Sequence, residues 1–133
     1  MSCRKNSNQK IFSFKENKSI LTLVNVNQAK SECVHVDGCE INDTGIRCDF
    51  LHLAKGIEMY IELKGQDLVH AMNQIHRTMS ILSSDVKKQP KISYIICTRS
   101  PLTSTEIQGY SRKFKELYNS KLVIKSSPHT DNY

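Results

Sequence analysis

The spacing of the apolar residues changes near residue 66, and this change limits the folds open to the chain. Before it, short runs alternate apolar and polar residues; in residues 32–39, Val34 and Val36 share one face of a strand. After it, residues 67–82 carry apolar side chains at helical spacing. The apolar residues of this stretch are Leu68, Ala71, Met72, Ile75, Met79 and Leu82. The sequence therefore predicts an α+β protein whose N-terminal half is built from strands.

Short β-branched or alternating runs predict the individual strands, and turn residues separate them. Asp67 predicts the N-cap of the first helix, and Thr103 with Glu106 predicts a capping box at the start of a second. We expect one domain over residues 1–133, with a mixed sheet flanked by helices and with loosely structured ends at 1–18 and 126–133. The predicted strands cover residues 10–14, 20–26, 32–39, 47–53, 58–64, 92–98 and 122–124, with a hairpin connection between the second and third.

The composition disfavours several classes of protein. No apolar run approaches the roughly 20 residues of a membrane span, and no apolar segment follows the first basic residues, so we expect no membrane association and a cytoplasmic location. No glycine-rich phosphate loop is present, which disfavours nucleotide binding by that route. The net charge is +6, yet residues 32–67 hold eight acids and three bases. An acidic segment in a basic chain suits a metal site that works on a polyanion, and nucleic acid is the favoured partner.

The five cysteines form no evident paired framework, and without an export signal we predict reduced thiols. Cys48 and His52 share one strand face but are too far apart for proton transfer, which disfavours a cysteine nucleophile there. Alternate residues of one strand lie about 7 Å apart, so a set on one strand cannot surround a tetrahedral zinc ion. The set that this argument disfavours as a zinc site is Cys33, His35, Asp37 and Cys39.

Asp49, Glu62 and Lys64 lie on two predicted strands joined by a turn. Glu62 and Lys64 point to the same side of the sheet, because side chains alternate along a strand and Leu63 faces the opposite side. Two converging carboxylates can hold a divalent metal through hard oxygen ligands. A lysine beside them can position or polarise a water molecule. This spacing predicts metal-assisted hydrolysis of a phosphodiester.

These strands, followed by a helix and an apolar strand, resemble the core of the PD-(D/E)XK nuclease superfamily, which includes restriction-type endonucleases and Holliday-junction resolvases. The resemblance implies a restriction-endonuclease-like mixed sheet flanked by helices. It also implies a Mg²⁺ or Mn²⁺ ion held by Asp49, Glu62 and the carbonyl of Leu63. Lys64 would then orient or activate the attacking water, and Gln74, on the following helix, would face the site.

The chain departs from this family on its N-terminal side. The resemblance covers residues 34–98, and no helical pattern before them supplies the further acid that many members have. Glu16 and Glu32 are the nearest acids, and Asp37 can substitute if its strand neighbours Asp49. The run Y-I-E-L-K-G-Q-D-L also resembles small proteins of bacteria and mobile elements, so a role in mobile-element biology or phage defence is a further expectation.

The expected substrate is DNA, cleaved as by an endonuclease. The small size of the chain predicts a homodimer or a subunit of a larger complex, because a lone domain offers little surface to a duplex. Two other interpretations stay open: an inactive nuclease-fold subunit that binds nucleic acid or a protein, and an interaction factor whose basic surface meets an acidic partner. The candidates for phosphate contacts are Lys87, Lys88, Lys91, Arg99, Arg112 and Lys113.

Overall fold

A computed structural model describes residues 2–63, 67–98 and 102–133. Within them the chain forms nine strands and two helices, which confirms the predicted α+β class. The helices are α1 (Leu68–Leu82) and α2 (Ser104–Tyr118). The strands are β1 (Arg4–Ser7), β2 (Ile11–Glu16), β3 (Ser19–Val24), β4 (Ser31–His35), β5 (Phe50–Ala54), β6 (Ile57–Leu63), β7 (Lys91–Cys97), β8 (Ser120–Ser126) and β9 (His129–Asn132).

Six strands form one mixed sheet in the order β1-β4-β5-β6-β7-β8. Each adjacent pair among the first four of these strands is antiparallel. β7 is parallel to β6, and β8 is parallel to β7, because α1 and α2 are the crossovers between them. The change in apolar spacing near residue 66, from alternation to helical spacing, therefore marks the change from antiparallel to parallel pairing in this sheet.

Both helices pack on one face of this sheet. Tyr60 of β6 and Ile95 of β7 share a buried cluster with Met72 and Ile75 of α1 and with Phe114 of α2. The caps predicted from the sequence are present. The Asp67 side chain accepts from the His70 backbone, and Thr103 and Glu106 make both bonds of a capping box.

A second, three-stranded sheet covers the opposite face. Its strand order is β2-β3-β9, with β3 and β9 parallel. Phe12 and Phe14 of β2 and Leu21 and Leu23 of β3 bury themselves against side chains of the large sheet, among them Ile61. The alternation of β6 thus serves two cores, with Tyr60 facing the helices and Ile61 facing the small sheet.

Each predicted strand has a counterpart, but the predicted hairpin between the second and third strands is wrong. β3 belongs to the small sheet and β4 to the large one, so the chain crosses between layers at this connection. The local run N-Q-A-K fits a turn in either case, because turn residues set the direction of the chain but not the partner of the next strand.

The chain ends, which the sequence predicted to be loose apart from the strand at residues 10–14, also carry strands β1 and β9. Arg4 of β1 forms ion pairs with Glu32 and Glu40 at 2.8 and 2.9 Å. The prediction of five reduced thiols is also wrong, because Cys3 and Cys39 form a disulfide. Pairing of β1 with β4 brings the two cysteines together across 36 residues of sequence, and no local pattern reports such a pairing.

Candidate functional site

Asp49 and Glu62 come together on the helix-covered face of the large sheet. Asp49 directly precedes β5, and its backbone N–H donates to the carbonyl of Ile61 at 3.1 Å. Its carboxylate oxygen Oδ2 accepts from the backbone N–H of Leu63 at 2.8 Å. Glu62 lies between these two contact points on β6, on the same face as Tyr60. The carboxylate of Asp49 is therefore held across the end of the strand that carries Glu62.

Both carboxyl groups are almost withdrawn from solvent, with 9% of Asp49 and 7% of Glu62 exposed. Burial is the main reason that the pKa of each lies above its ordinary range. The negative charge of Asp49 and a hydrogen bond to it raise the pKa of Glu62 further. The Leu63 N–H acts in the other direction on Asp49 and limits the rise of its pKa. Glu62 is consequently the member of the pair that keeps a proton to the higher pH.

One oxygen of this pair has no partner. Glu62 Oε1 is buried and makes no hydrogen bond with the described residues. Glu58, four residues earlier on β6, is also buried, but its two oxygens accept from Tyr60, Ser83 and Ser84 at 2.6 to 3.3 Å. A buried acceptor without a partner is costly, so Glu62 needs a proton or a cation that Glu58 does not need.

Helix α1 carries two side chains that contact the segments around the carboxylate pair, Gln74 and Thr78. The side-chain amide of Gln74 donates to the Arg47 carbonyl at 3.0 Å and also lowers the pKa of Glu62, against the larger effects that raise it. One turn on, Thr78 Oγ1 donates to the Gln74 carbonyl and accepts from the Cys48 backbone at 2.9 Å. Two α1 side chains therefore fasten the helix to the segment that leads into Asp49.

Two further acids act on the pair through their charge. Asp37 raises the pKa of both Asp49 and Glu62, and Glu16 raises that of Asp49. The backbone of Asp37 donates to the Asp49 carbonyl at 3.3 Å, so their segments are neighbours. The Asp37 carboxylate also pairs with Arg47 at 2.7 Å. Glu16 is the last residue of β2.

The donor set suits a hard divalent cation. Two buried carboxylates in contact, one with an unpartnered oxygen, provide the negative charge and the free lone pairs that Mg²⁺ or Mn²⁺ takes. Among residues 2–63, 67–98 and 102–133, no group of three or more His, Cys, Asp and Glu side chains is placed to hold a metal. An ion at this site would therefore rest on Asp49 and Glu62, with backbone oxygen and water completing its coordination.

Lys64 and Arg99, which the sequence assigned to the water and to phosphate, lie outside the described residues. The assignment of Lys91 to phosphate is wrong. This lysine is 3% exposed, and its ammonium group lies 2.7 to 2.9 Å from four backbone carbonyls, those of residues 85, 86, 89 and 118, which share its three N–H donors. It fastens the loop before β7 to the end of α2 and has no donor to spare for a phosphate.

The remaining basic candidates stay exposed. Lys87 and Lys88 lie before β7, and the opening residue of β7 pairs with Glu58, four residues before Glu62. At about 3.3 Å per residue, this places them at the opposite end of β6 from the carboxylate pair. Arg112 and Lys113 lie on α2, where the ammonium group of Lys113 is 5.9 Å from the ring centre of Tyr110.

Comparison of the chain with protein-family models, with curated proteins and with solved structures finds no match in any of the three. The two helices of the described residues are each 15 residues long, and neither is long and apolar enough to cross a membrane.

Proposed function

We propose that the protein is a Mg²⁺- or Mn²⁺-dependent phosphodiesterase of the PD-(D/E)XK type that cleaves DNA as an endonuclease. Asp49 and Glu62 would hold the metal, and Lys64 would position the attacking water. The observation that carries the proposal is the buried contact between the two carboxyl groups, in which Glu62 Oε1 has no hydrogen-bond partner.

The pair has to be neutralised in the folded protein. Two carboxylates in contact repel each other strongly at low dielectric, and neither can regain its lost hydration. Below the raised pKa of Glu62, a proton shared by the two carboxyl groups removes their repulsion. A divalent cation that displaces this proton removes the same repulsion at higher pH. A site with this charge balance favours a cation over an empty state.

The protein's own groups are arranged to keep such a site in one geometry. The Leu63 N–H orients the carboxylate of Asp49, and Gln74 acts on Glu62 from the helix side. When bound, the metal would supply Lewis acidity at a phosphoryl oxygen and lower the pKa of a bound water. The role of Lys64 rests on the resemblance to the nuclease family alone.

A second candidate is a nuclease-fold subunit that binds nucleic acid or a protein partner without cleaving anything. The observation that favours it is the burial of the pair, since a scissile phosphate needs access to the metal. The position of Lys87 and Lys88 at the other end of β6 also favours it, because DNA held there would not reach the two acids. The two candidates differ in one measurable respect, which is cleavage.

The test combines metal binding with cleavage. Purified protein is incubated with Mg²⁺ or Mn²⁺ and plasmid, linear and branched DNA, beside Asp49→Asn, Glu62→Gln and Lys64→Ala, with Glu116→Gln on the exposed surface of α2 as the matched control. Cleavage that the three site variants lose and the control keeps supports the nuclease. Binding of DNA without cleavage, unaffected by the metal, supports the inactive subunit. If no site variant differs from wild type in cleavage or in metal binding, the carboxylate pair neither holds the metal nor takes part in cleavage, and the proposed nuclease is wrong.

A further inference from the structure

A cavity of about 560 Å³ lies on the other side of the molecule, between the small sheet and the edge of the large one. Phe12 and Phe14 of β2 and Phe50 of β5 form its apolar walls. Lys5 of β1 also lines it, as does Cys33 of β4, whose thiol is half buried. The cavity therefore combines an aromatic lining, one cation and one free thiol, and it is not part of the Asp49 site.

The thiol has a histidine as its direct partner. Cys33 and His52 are paired residues on the antiparallel strands β4 and β5, and Cys33 Sγ lies 3.1 Å from His52 Nδ1. The other ring nitrogen, Nε2, lies 2.7 Å from the hydroxyl of Tyr133, which in turn lies 2.7 Å from Ser31 Oγ. A nucleophile, a base and a group that orients the base thus stand in line.

One arrangement of the protons in this chain starts from the hydrogen bond that Ser31 makes to the backbone. The Ser31 hydroxyl donates to the Ala29 carbonyl, which can only accept, at 3.1 Å. Ser31 must then accept from Tyr133, so the Tyr133 oxygen accepts from Nε2–H of His52. Nδ1 is left with its lone pair, and it accepts the thiol proton of Cys33. In this arrangement the histidine is the tautomer that can act as a base toward the thiol.

Both partners are neutral at physiological pH. Burial lowers the pKa of His52 to about 4. Burial also raises the pKa of the Cys33 thiol to about 11, although the charge of Lys5 acts in the opposite direction. The free thiolate is therefore scarce at neutral pH, and attack by Cys33 needs transfer of its proton to His52 as the new bond forms.

We propose that Cys33 and His52 form a nucleophilic thiol site that takes small aromatic disulfides by thiol–disulfide exchange. The Cys33 proton passes to His52 Nδ1 while the Cys33 sulfur bonds to one sulfur of the ligand. The ligand's S–S bond breaks, and its second half leaves as a thiolate. Cys33 is oxidised to a mixed disulfide and the leaving half is reduced, so electrons balance without another reagent.

The lining of the cavity selects the class of ligand. Three phenyl rings favour a flat aromatic group, through area burial and through edge or offset contacts. Lys5 favours a ligand with an acidic substituent near the thiol. The Cys3–Cys39 disulfide also lines the cavity and leaves three free cysteines to be distinguished in the test.

The experiment uses 5,5′-dithiobis(2-nitrobenzoate), an aromatic disulfide with acidic groups, on the native protein without reductant. The expected result is one rapid equivalent of released thiolate. Cys48 and Cys97 are 0% and 1% exposed and should react only on denaturation. Cys33→Ser should abolish the rapid equivalent, whereas Cys97→Ser should leave it unchanged. Peptide mapping should place the adduct on Cys33.

The role of the histidine is tested by the pH profile. The groups that face the thiol are Lys5 on β1, His35 on β4, His52 on β5 and Tyr133 after β9; β2 contributes none. With His52 as base, the rate should stay within about threefold between pH 5 and 8, because the reacting pair is neutral throughout that range. In His52→Gln it should rise about tenfold per pH unit, as free thiolate does.

Two further variants separate chemistry from folding. Tyr133→Phe keeps the ring and removes the partner of His52 Nε2, so it should slow labelling at pH 6 about fivefold or more while the protein stays folded. Lys5→Gln should slow the acidic probe but not the neutral probe 2,2′-dithiodipyridine.

The proposal is overturned if Cys33 reacts no faster than Cys48 and Cys97, or if the labelling rate of the wild-type protein already rises tenfold per pH unit. Unchanged rates in both His52→Gln and Tyr133→Phe would overturn the role of the base.

Discussion

At the scale of single residues, three buried ionisable side chains differ in how completely their hydrogen bonds are satisfied. Glu58 and Lys91 are saturated by hydrogen bonds, whereas Glu62 keeps one oxygen without a partner. Glu58 and Glu62 have the same chemistry, lie on the same strand face and are similarly buried. Only the neighbours differ, so the two glutamates form a natural pair for testing whether Glu62 is a site or a structural residue.

Glu62→Gln is expected to stabilise the metal-free protein at pH 8 by about 1–3 kcal/mol, since each unit of a raised pKa corresponds to about 1.4 kcal/mol. Folding raises the pKa of Glu62, so its stabilising contribution is complete below its unfolded value of about 4.3 and is lost as pH rises through the folded one. Urea unfolding of both proteins from pH 4 to 9 measures this. The curves should coincide at low pH and separate as pH rises.

The matched control is Glu58→Gln, for which the opposite sign is expected. An amide placed against the hydroxyls of Tyr60 and Ser83 and the N–H of Ser84 loses an acceptor, which costs about 1–3 kcal/mol. Mg²⁺ or Mn²⁺ should stabilise wild type and Glu58→Gln but not Glu62→Gln. Equal responses of the two variants to the metal would remove the basis for a cation at Glu62.

Lys91→Met is expected to destabilise the protein by about 2–4 kcal/mol and to leave DNA binding by the folded protein unchanged. The methionine keeps most of the apolar stem but leaves four partly buried carbonyls without their donor. Lys88→Met, at an exposed position, should alter stability by less than about 0.5 kcal/mol. Urea unfolding and a DNA filter-binding titration give the two readouts, and weaker binding by Lys91→Met at matched folded fraction would contradict the structural role.

At the scale of elements, capping residues nearby in sequence set where each helix begins, and the buried side chains set which side of the helix packs on the sheet. α2 is capped reciprocally by Thr103 and Glu106, and Phe114 is its buried residue in the described part of the chain. Such a helix buries little, so its first turn should depend on the cap more than does that of α1, which carries six buried residues.

Thr103→Ala is therefore expected to cost about 1 kcal/mol, because the Glu106 backbone N–H loses the Thr103 hydroxyl to which it donates, whereas the bond from the Thr103 backbone N–H to the Glu106 carboxylate remains. Thr105→Ala, two residues later on the exposed side of the same turn, should cost nothing or stabilise slightly, since alanine is the better helix former. Chemical unfolding compares the two, and hydrogen exchange of residues 106–108 reports fraying. Equal stability of the two variants would show that the cap is not what starts α2.

At the scale of the whole molecule, the large sheet is covered by helices on one face and by the small sheet on the other. The carboxylate pair lies on the first face and the thiol cavity on the second. The N-terminal strand joins this arrangement at the edge of the large sheet, through β4, through the ion pairs of Arg4 and through the Cys3–Cys39 disulfide. The edge is thus held by contacts distant in sequence.

Cys3→Ser is expected to lower the free energy of unfolding by about 2–4 kcal/mol under non-reducing conditions. The disulfide closes a loop across 36 residues, and the loss of loop constraint in the unfolded state accounts for a change of that size. The measurement is urea unfolding with and without reductant. Wild type and Cys3→Ser should converge in reductant, and a persistent difference would assign the effect to the serine itself.

Much of this architecture is predictable from local patterns, and the failures have a common cause. The alternation of β6, the helical spacing of α1 and the caps at Asp67 and Thr103 are local, and each is confirmed. The layer change between β3 and β4, the partner of Cys3 and the saturation of Lys91 depend on residues far away in sequence. Periodicity says which face a side chain occupies, but it does not say which element covers that face.

For the candidate site, the sequence by itself determined that Glu62 and Lys64 share one face of a strand, because side chains alternate along a strand. The resemblance to the nuclease family, and not the periodicity, implied that Gln74 faces the same site. Only the tertiary structure decided that the two carboxyl groups would be buried, with one oxygen of Glu62 unpaired. It also decided that the cysteine beside His52 would be Cys33 and not Cys48. The physical reason is that burial and pairing are set by strand register and by packing between layers. Both are contacts between residues that the chain order keeps apart.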